Sequence, residues 1–411
     1  MAVASLQRVK RREKIVLVLA VLVALAFYRS QPVASLDQQT ADSILGLQPF
    51  GVDGRTVPVF VLRGLYELSR QVSTASLTYV VAYFAAVFAA FTLITLYFVY
   101  RELFGQRYIG IVTLLLVGLA PAFVLAASGA HMVVIALFFI AVSVYAWLRQ
   151  RWILWGIATG LALSSHYGST ALALPFLGWM IWSRKSMERP WRIVVGTFVA
   201  AVIALSSYYW VLSAQGGLEP WVEERLTEAL RGVPLASAGS PVFGVEHVIF
   251  SVVYVALALA FAGFFRKNSF ALQVVVSVFV VALPCTFLLY VSGPSLFGAS
   301  GVLLWAMALV SLLPLWISDP NRREIAFVLC WFVPLLIVAA ILAPALNGLF
   351  VFALFPLALL ACRFLDRTLD GAWLDFWWAA GLPTAWYYRL SKLVVLLVLA
   401  LSYLQAIRLR D

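Results

Sequence analysis

Five side chains with the means to do chemistry lie in the two long polar stretches of the chain or at the ends of apolar segments. Asp37 and Asp42 fall in the first stretch, His131 and His166 stand at the ends of apolar segments, and His247 closes the second stretch. Histidine can bind a metal ion, donate a hydrogen bond to a phosphate or shuttle a proton. A vestibule ringed by these side chains could perform any of these tasks. The alternative is that histidines at a membrane interface satisfy helix ends and lipid headgroups.

The composition indicates which elements must hold these side chains. Of the 411 residues, 64% are hydrophobic and 11% are charged, and the mean hydropathy is +0.99, far outside the range of soluble domains. A helix needs about 20 apolar residues to cross a bilayer. The sequence therefore predicts an all-α polytopic membrane protein with about 13 transmembrane helices, near residues 15–28, 76–100, 109–127, 132–148, 152–165, 168–182, 193–212, 248–265, 270–291, 296–317, 325–343, 345–365 and 393–407.

Basic residues alternate with these segments. Several precede the first segment, and pairs or clusters occupy every second connection as far as Arg363 and Arg367. The positive-inside rule makes these connections and the N-terminus cytoplasmic, so the net charge of +11 reflects topology and not a nucleic-acid surface. The first segment is either a retained anchor or a cleavable signal peptide, and the side of the C-terminus stays open. The absence of a eukaryotic retention signal favours a prokaryotic plasma membrane.

The whole chain, 1–411, is predicted to be a single integral membrane domain with two long outer loops, 29–75 and 213–247. Residues 58–70 in the first loop and the stretch WVEERLTEALRGV in the second each have an apolar and a polar face, which is typical of amphipathic helices lying at the interface. Arg55 and Arg63 are candidates to bind a phosphate. The alternative for such arginines is solvation or pairing with lipid headgroups.

The run of residues 101–181 carries several short motifs in a fixed order. A basic turn is followed by AP, by AS, by an ALF helix, by a W-x-x-x-G-x-x-x-G-L-A helix and by LP before the next helix. In order and topology this run resembles the central block of the GT-C superfamily of membrane glycosyltransferases, especially the dolichyl-phosphate-mannose protein mannosyltransferase family. Residues 350–369 weakly resemble a late helix of the same family.

This resemblance implies a GT-C-like bundle with an outward-facing cavity roofed by the two amphipathic loop helices. It also implies an enzyme that moves a sugar from a polyprenyl-phosphate carrier to an acceptor on the outer side of the membrane. Such a reaction needs a carboxylate to deprotonate or orient the acceptor hydroxyl, and a cation or metal to offset charge on the departing phosphate.

Carried over residue by residue, the resemblance assigns roles to the candidate side chains. Asp42, or Asp37 near it, stands where the family has an essential acid after its first helix. His166, followed by Tyr167 in the motif SSHYGS, stands where relatives place a lysine or histidine facing the carrier phosphate. His131 replaces a second acid; it can bind a metal, which makes a divalent ion the one cofactor suggested, but it cannot supply the same negative charge.

Three functions from different classes stay open. The first is a glycosyltransferase whose donor is a polyprenyl-phosphate-linked sugar and which is surrounded by membrane lipids. The second is a non-catalytic GT-C-like structural or assembly subunit with membrane-protein partners, favoured by the missing second acid. The third is a lipid or solute transporter, which is disfavoured because no Asp, Glu, Lys or Arg lies deep within a predicted segment and coupled transporters usually need such groups.

Overall fold

The computed structural model describes residues 11–30, 41, 45, 56–71, 76–105, 107–128, 133–166, 169, 172, 175–177, 179–180, 191–214, 315, 321, 323–332, 349–370 and 383–408. Its helices include α1 (Arg11–Arg29), α2 (Thr56–Arg70), α3 (Leu77–Phe104), α4 (Arg107–Gly118), α5 (Pro121–Ser128), α6 (Val133–Leu148), α7 (Trp152–Leu163), α8 (Trp191–Ala214), α9 (Leu349–Leu369) and α10 (Thr384–Arg408). Residues 323–332 are also helical. The described residues contain no strand, which confirms the all-α class.

Two of the described helices are long and apolar enough to cross a membrane, namely α3 and the Trp191–Tyr209 part of α8. Four shorter apolar helices accompany them: Leu17–Arg29, Ile109–Gly118, Val133–Leu148 and Trp152–Leu163. The predicted number of about 13 spans is therefore not confirmed. The predicted segments 248–265 and 270–291 and the second amphipathic loop helix lie outside the described residues.

The third predicted segment is divided into two helices, α4 and α5. Proline has no backbone N–H and its ring clashes with the carbonyl one turn earlier, so it is best placed at the first position of a helix, and Pro121 begins α5. Before it, the N–H of Ala120 donates to the Val117 carbonyl at 3.1 Å. The buried hydroxyl of Tyr28 donates to the Gly118 carbonyl at 2.9 Å. The end of α1 therefore packs on the break and binds its backbone.

The helices α7 and α8 approach each other through glycine. A Cβ atom placed on Gly156 of α7 would lie 2.3 Å from the carbonyl oxygen of Gly196 on α8, and one placed on Gly160 would lie 2.7 Å from Ile203 Cβ. Small residues one turn apart allow this close backbone approach in membrane bundles. On its other side α7 packs against α6, where the hydroxyls of Ser143 and Thr159 form a buried hydrogen bond of 2.7 Å.

The helix α9 lies in the hydrophobic core and continues beyond its predicted end at residue 365. Arg363 and Asp366, on successive turns, form a buried ion pair of 2.5 Å, and the Arg363 guanidinium lies 5.1 Å from the centre of the Phe104 ring. Pairing and stacking satisfy charges that would otherwise be costly to bury. A sequence position expected in a polar connection is therefore part of the packed bundle.

The contacts separate two ends of the bundle. We term one the basic end, where an ion pair of 2.8 Å joins Arg149 to Glu102; its members are Glu102, Phe104, Arg149, Arg151, Arg192 and Arg363. The loop end is opposite; its members are Val57, Leu163, Ser164, His166, Tyr208 and Phe352. This segregation agrees with the alternation of basic residues in the sequence, while the assignment of the basic end to the cytoplasm stays a prediction.

Candidate functional site at the loop end

The helix α2 of the first long loop packs against the bundle through one face. Val59 and Leu62 are buried and form a small apolar cluster with Val81 of α3 and Ile135 of α6. The opposite face is solvent-exposed and includes Arg63. The prediction that residues 58–70 form an amphipathic helix is confirmed, since α2 has its proline in the first turn and its polar residues outside.

Two hydrogen bonds attach other elements to the C-terminal end of α7. The last carbonyls of a helix have no partner within it, and here the Ser164 carbonyl accepts from the N–H of Val57 at 3.4 Å. The Leu163 carbonyl accepts from the Tyr208 hydroxyl of α8 at 3.4 Å. The hydroxyl of Ser164 turns back to the Gly160 carbonyl at 2.8 Å. As a result, α2, α7 and α8 meet at one point of the loop end.

His166 lies immediately after this junction and is buried, with 4% of its surface exposed. Its N–H donates to the Ala162 carbonyl at 3.2 Å, and its carbonyl accepts from the N–H of Ser169 at 3.0 Å. The imidazole ring packs on Phe352 of α9, with 4.9 Å between the ring centres. These contacts fix both the backbone and the ring. An imidazole has two ring nitrogens that can form hydrogen bonds with a polar group.

Ser169 adds a second polar side chain to this turn. It is 1% exposed, and its buried hydroxyl has no hydrogen-bond partner among the described residues. Buried hydroxyls without a partner are rare and indicate a bound molecule or water. His166 and Ser169 therefore form a small polar turn at the end of α7, enclosed by the core of the loop end.

The other predicted site residues have different outcomes. Arg63 is described, and it is exposed on the outer face of α2. Asp37, Asp42, Arg55, His131 and Tyr167 lie outside the described residues, so their roles stay predictions. Within the part of the chain that the structure describes, no group of three or more His, Cys, Asp or Glu side chains could hold a metal ion, and the predicted metal ligand His131 is not in that part.

Sequence reasoning missed several residues that shape this site. Tyr208 could have been suspected, because tyrosine and tryptophan near the end of an apolar helix commonly mark the membrane interface. Ser169 stands in the motif that drew attention to His166. Phe352 gave no local signal, since its contact with His166 joins positions far apart in the chain.

Comparison with solved structures places this architecture in a known class. ArnT from Cupriavidus metallidurans, bound to undecaprenyl phosphate, is 14% identical with a TM-score of 0.57 over 97% of this chain and 75% of that chain. The archaeal oligosaccharyltransferase AglB from Archaeoglobus fulgidus, in complex with an inhibitory peptide and a dolichol-phosphate, is 14% identical with a TM-score of 0.56 over 96% of this chain and 56% of that chain. The chain therefore shares the fold of these two solved structures.

The sequence itself points to one family within this class. Residues 59–210 match the model of the dolichyl-phosphate-mannose-protein mannosyltransferase family. The predicted resemblance to this family is thus confirmed over residues 59–210, and the predicted resemblance to GT-C glycosyltransferases is confirmed by the fold shared with ArnT and AglB. Among functionally curated proteins, none has a sequence that matches this chain.

Proposed function

We propose that this protein is a GT-C glycosyltransferase that moves a sugar from a polyprenyl-phosphate carrier to an acceptor at the loop end, on the outer face of the membrane. The observation that carries the proposal is the family match over residues 59–210, because that region contains the end of α7 and most of α2 and α8, the helices that meet at the candidate site. The carriers bound to ArnT and AglB, undecaprenyl phosphate and a dolichol-phosphate, belong to the class proposed for this chain.

The proposed reaction requires a base for the acceptor proton and groups that bind the departing phosphate. The acceptor oxygen attacks the anomeric carbon of the sugar, the bond from that carbon to the phosphate oxygen breaks, and the acceptor proton passes to a base. Asp42 is the favoured base, with Asp37 as the alternative. The carrier phosphate leaves as an anion and must be bound by donors or cations; the candidates are His166, His131, Arg55, Arg63 and Tyr167. A divalent metal at His131 stays a prediction from sequence.

Among these candidates, His166 has the best structural support for a phosphate contact. It lies at the end of α7, beside the attachment point of α2, and its turn includes the hydroxyl of Ser169, which has no hydrogen-bond partner among the described residues. Its packing on Phe352 supports a competing role, in which the ring only holds α7 against α9. The two roles differ in their response to substitution, because a phosphate contact depends on a ring nitrogen and packing depends on the ring's volume.

The His166→Ala and His166→Phe variants separate these roles. If the ring binds the carrier phosphate, both variants should weaken donor binding, measured as KM for the donor, on the order of tenfold, while KM for the acceptor changes little. Rescue by His166→Phe, or an equal change in both KM values, would show that the ring contributes by packing and would remove it from the phosphate site.

The alternative of a non-catalytic GT-C-like subunit has one specific observation in its favour. The helix α5 ends at Ser128, whose buried hydroxyl donates to the Val124 carbonyl at 2.7 Å. The sequence that follows, Gly-Ala-His131, has a histidine where the resemblance leads us to expect an acid. A subunit of this kind would keep the GT-C-like fold without transferring a sugar, and would purify with stable protein partners.

Donor consumption distinguishes the enzyme from the subunit. The purified protein is incubated with a panel of radiolabelled polyprenyl-phosphate sugars and acceptor extracts, with and without divalent metal, alongside Asp42→Asn, Asp37→Asn and the double variant. We expect release of the free carrier phosphate by the wild-type protein and its loss in at least one aspartate variant. Full activity in the double variant would exclude both acids from the mechanism. No release with any donor, from protein that retains partner subunits, would support the non-catalytic alternative.

A further inference from the structure

A cavity of about 810 Å³ opens at the basic end of the bundle, between the end of α6 and the starts of α7 and α8. Three arginines line it, Arg149, Arg151 and Arg192, together with two tryptophans, Trp152 and Trp191. The cavity lies at the opposite end of α7 from His166. It is therefore separate from the candidate transfer site.

The charge of this cavity favours an anion. Arg149 is balanced by Glu102 at 2.8 Å, but neither Arg151 nor Arg192 forms an ion pair with a carboxylate among the described residues. Arg192 instead lies 5.7 Å from the centre of the Trp191 ring, which holds the guanidinium at the rim. The helices α7 and α8 both begin at the cavity, and the positive ends of their dipoles add to the arginine charge.

The turn that joins α6 to α7 closes the end of α6 at the cavity. Gln150 has φ of 54°, in the left-handed region that a residue with a side chain rarely adopts and that glycine would occupy without cost. The N–H of Gln150 donates to the Trp147 carbonyl at 2.9 Å and the N–H of Arg151 donates to the Ala146 carbonyl at 2.8 Å, which is the hydrogen-bond pattern of a helix that ends in a left-handed residue. Gln150 and its neighbours Arg149 and Arg151 all line the cavity.

The remaining wall of the cavity is apolar and continues along the bundle surface. Ile153, Leu154 and Ile157 of α7 and Val195 of α8 line it, and their exposed fractions run from 37% to 62%. A soluble anion would make no favourable contact with an apolar wall. A lipid would, because it has apolar chains as well as a charged headgroup. Tryptophan is typical of the headgroup level of a membrane, so Trp152 and Trp191 mark the depth expected for the phosphate.

We infer that this cavity binds an anionic glycerophospholipid from the leaflet at the basic end. The phosphate lies between Arg151 and Arg192, where guanidinium groups match the geometry of phosphate oxygens. One acyl chain runs along Ile153, Ile157 and Val195. The cavity volume is within the range of small-molecule sites, which suits a headgroup with the first part of its chains.

Lipid titration with native mass spectrometry tests this inference on the full-length protein in a neutral detergent. The probes are phosphatidylglycerol, phosphatidylcholine with the same chains, and inorganic phosphate. We expect one tight phosphatidylglycerol site, weaker phosphatidylcholine binding and no competition by inorganic phosphate at equimolar concentration. The double variant R151Q/R192Q should weaken phosphatidylglycerol binding on the order of tenfold to thirtyfold, because each arginine near a membrane surface contributes modestly to anionic-lipid binding.

A matched control removes two charges from elsewhere in the described chain. Arg389 and Lys392 lie on α10 and do not line the cavity, so R389Q/K392Q should leave the tight site unchanged. The variant Ile157→Trp keeps every charge and fills the apolar wall; we expect it to weaken phosphatidylglycerol binding as well, which also covers the case in which R151Q/R192Q fails to fold.

Three outcomes would overturn the inference. If R151Q/R192Q and R389Q/K392Q lose phosphatidylglycerol affinity equally, the lipid is attracted to the positive charge of the protein surface in general and not to this cavity. Displacement of the lipid by equimolar inorganic phosphate would indicate a site for a soluble anion. Tighter binding of undecaprenyl phosphate than of phosphatidylglycerol at this cavity would assign the site to the carrier.

Discussion

Replacing Gly156 by alanine should separate α7 from α8 and destabilise the protein. The added Cβ would lie 2.3 Å from the Gly196 carbonyl oxygen, and ordinary van der Waals contact begins at 3.4 Å, so the helices must move apart by about 1.1 Å at this point. The opposing atoms are backbone, which cannot rotate away as a side chain would. A gap of 0.5–1 Å forfeits about a quarter to a half of each dispersion contact along the interface.

The expected magnitude follows from two opposing effects. Overpacking a close contact typically costs about 1–3 kcal/mol, and the better helix propensity of alanine offsets up to about 1 kcal/mol of this. We therefore expect Gly156→Ala to lower the free energy of unfolding by up to about 2 kcal/mol, and Gly156→Leu to lower it further. Because α7 carries Ser164 and His166 at its far end, both variants should also weaken donor binding.

Gly64 provides the matched control for this experiment. It lies within α2, and a Cβ atom placed there would meet nothing within 4 Å. Gly64→Ala should therefore raise stability slightly through helix propensity alone. The assay measures unfolding of the protein in mild detergent, with tryptophan fluorescence as the signal. Equal stability of Gly156→Ala and Gly64→Ala would refute the close backbone contact between α7 and α8.

Three further substitutions test the packing of the bundle. Tyr28→Phe removes the buried hydrogen bond to the break between α4 and α5 and should cost about 0.5–1.5 kcal/mol in the same unfolding assay; no change would argue against that bond. Asp366→Ala removes the partner of the buried Arg363 and should cost about 3–5 kcal/mol, while the double variant with Arg363→Met should recover much of it; equal stability of single and double variants would contradict a tight pair. Tyr208→Phe should loosen α8 from the end of α7, detected as faster hydrogen exchange at the loop end, and an unchanged rate would exclude that role.

Local sequence patterns predicted the helices more reliably than they predicted the contacts between helices. The apolar run near α3 and the amphipathic pattern of α2 both gave the correct helix within a few residues, because hydrophobic periodicity is a local property. The predicted span 109–127 contains Pro121, a residue that can break a helix, and the structure divides the span there into α4 and α5. The continuation of α9 beyond residue 365 to Leu369 was missed, because the charged residues Asp366 and Arg367 indicated a connection.

Local sequence patterns could not predict which residues pack against the site residues. The glycines of α7 were visible as a motif, but the sequence did not indicate that Gly196 of α8 was the opposing residue. Likewise, His166 was singled out correctly as a residue at the loop end, whereas its contact with Phe352 depends on how a distant helix packs. Long-range packing decides these contacts, and a single sequence carries no direct signal for it.

The most direct test of the central claim is to locate the carrier on the protein. A photoactivatable analogue of undecaprenyl phosphate, with the reactive group next to the phosphate, is cross-linked to the purified protein and the labelled peptides are identified by mass spectrometry. The account predicts labelling at the loop end, on α2 or on the turn that contains His166 and Ser169, and its reduction by a competing polyprenyl-phosphate sugar. Labelling confined to the basic end around Arg151 and Arg192, unaffected by the competing donor, would contradict it.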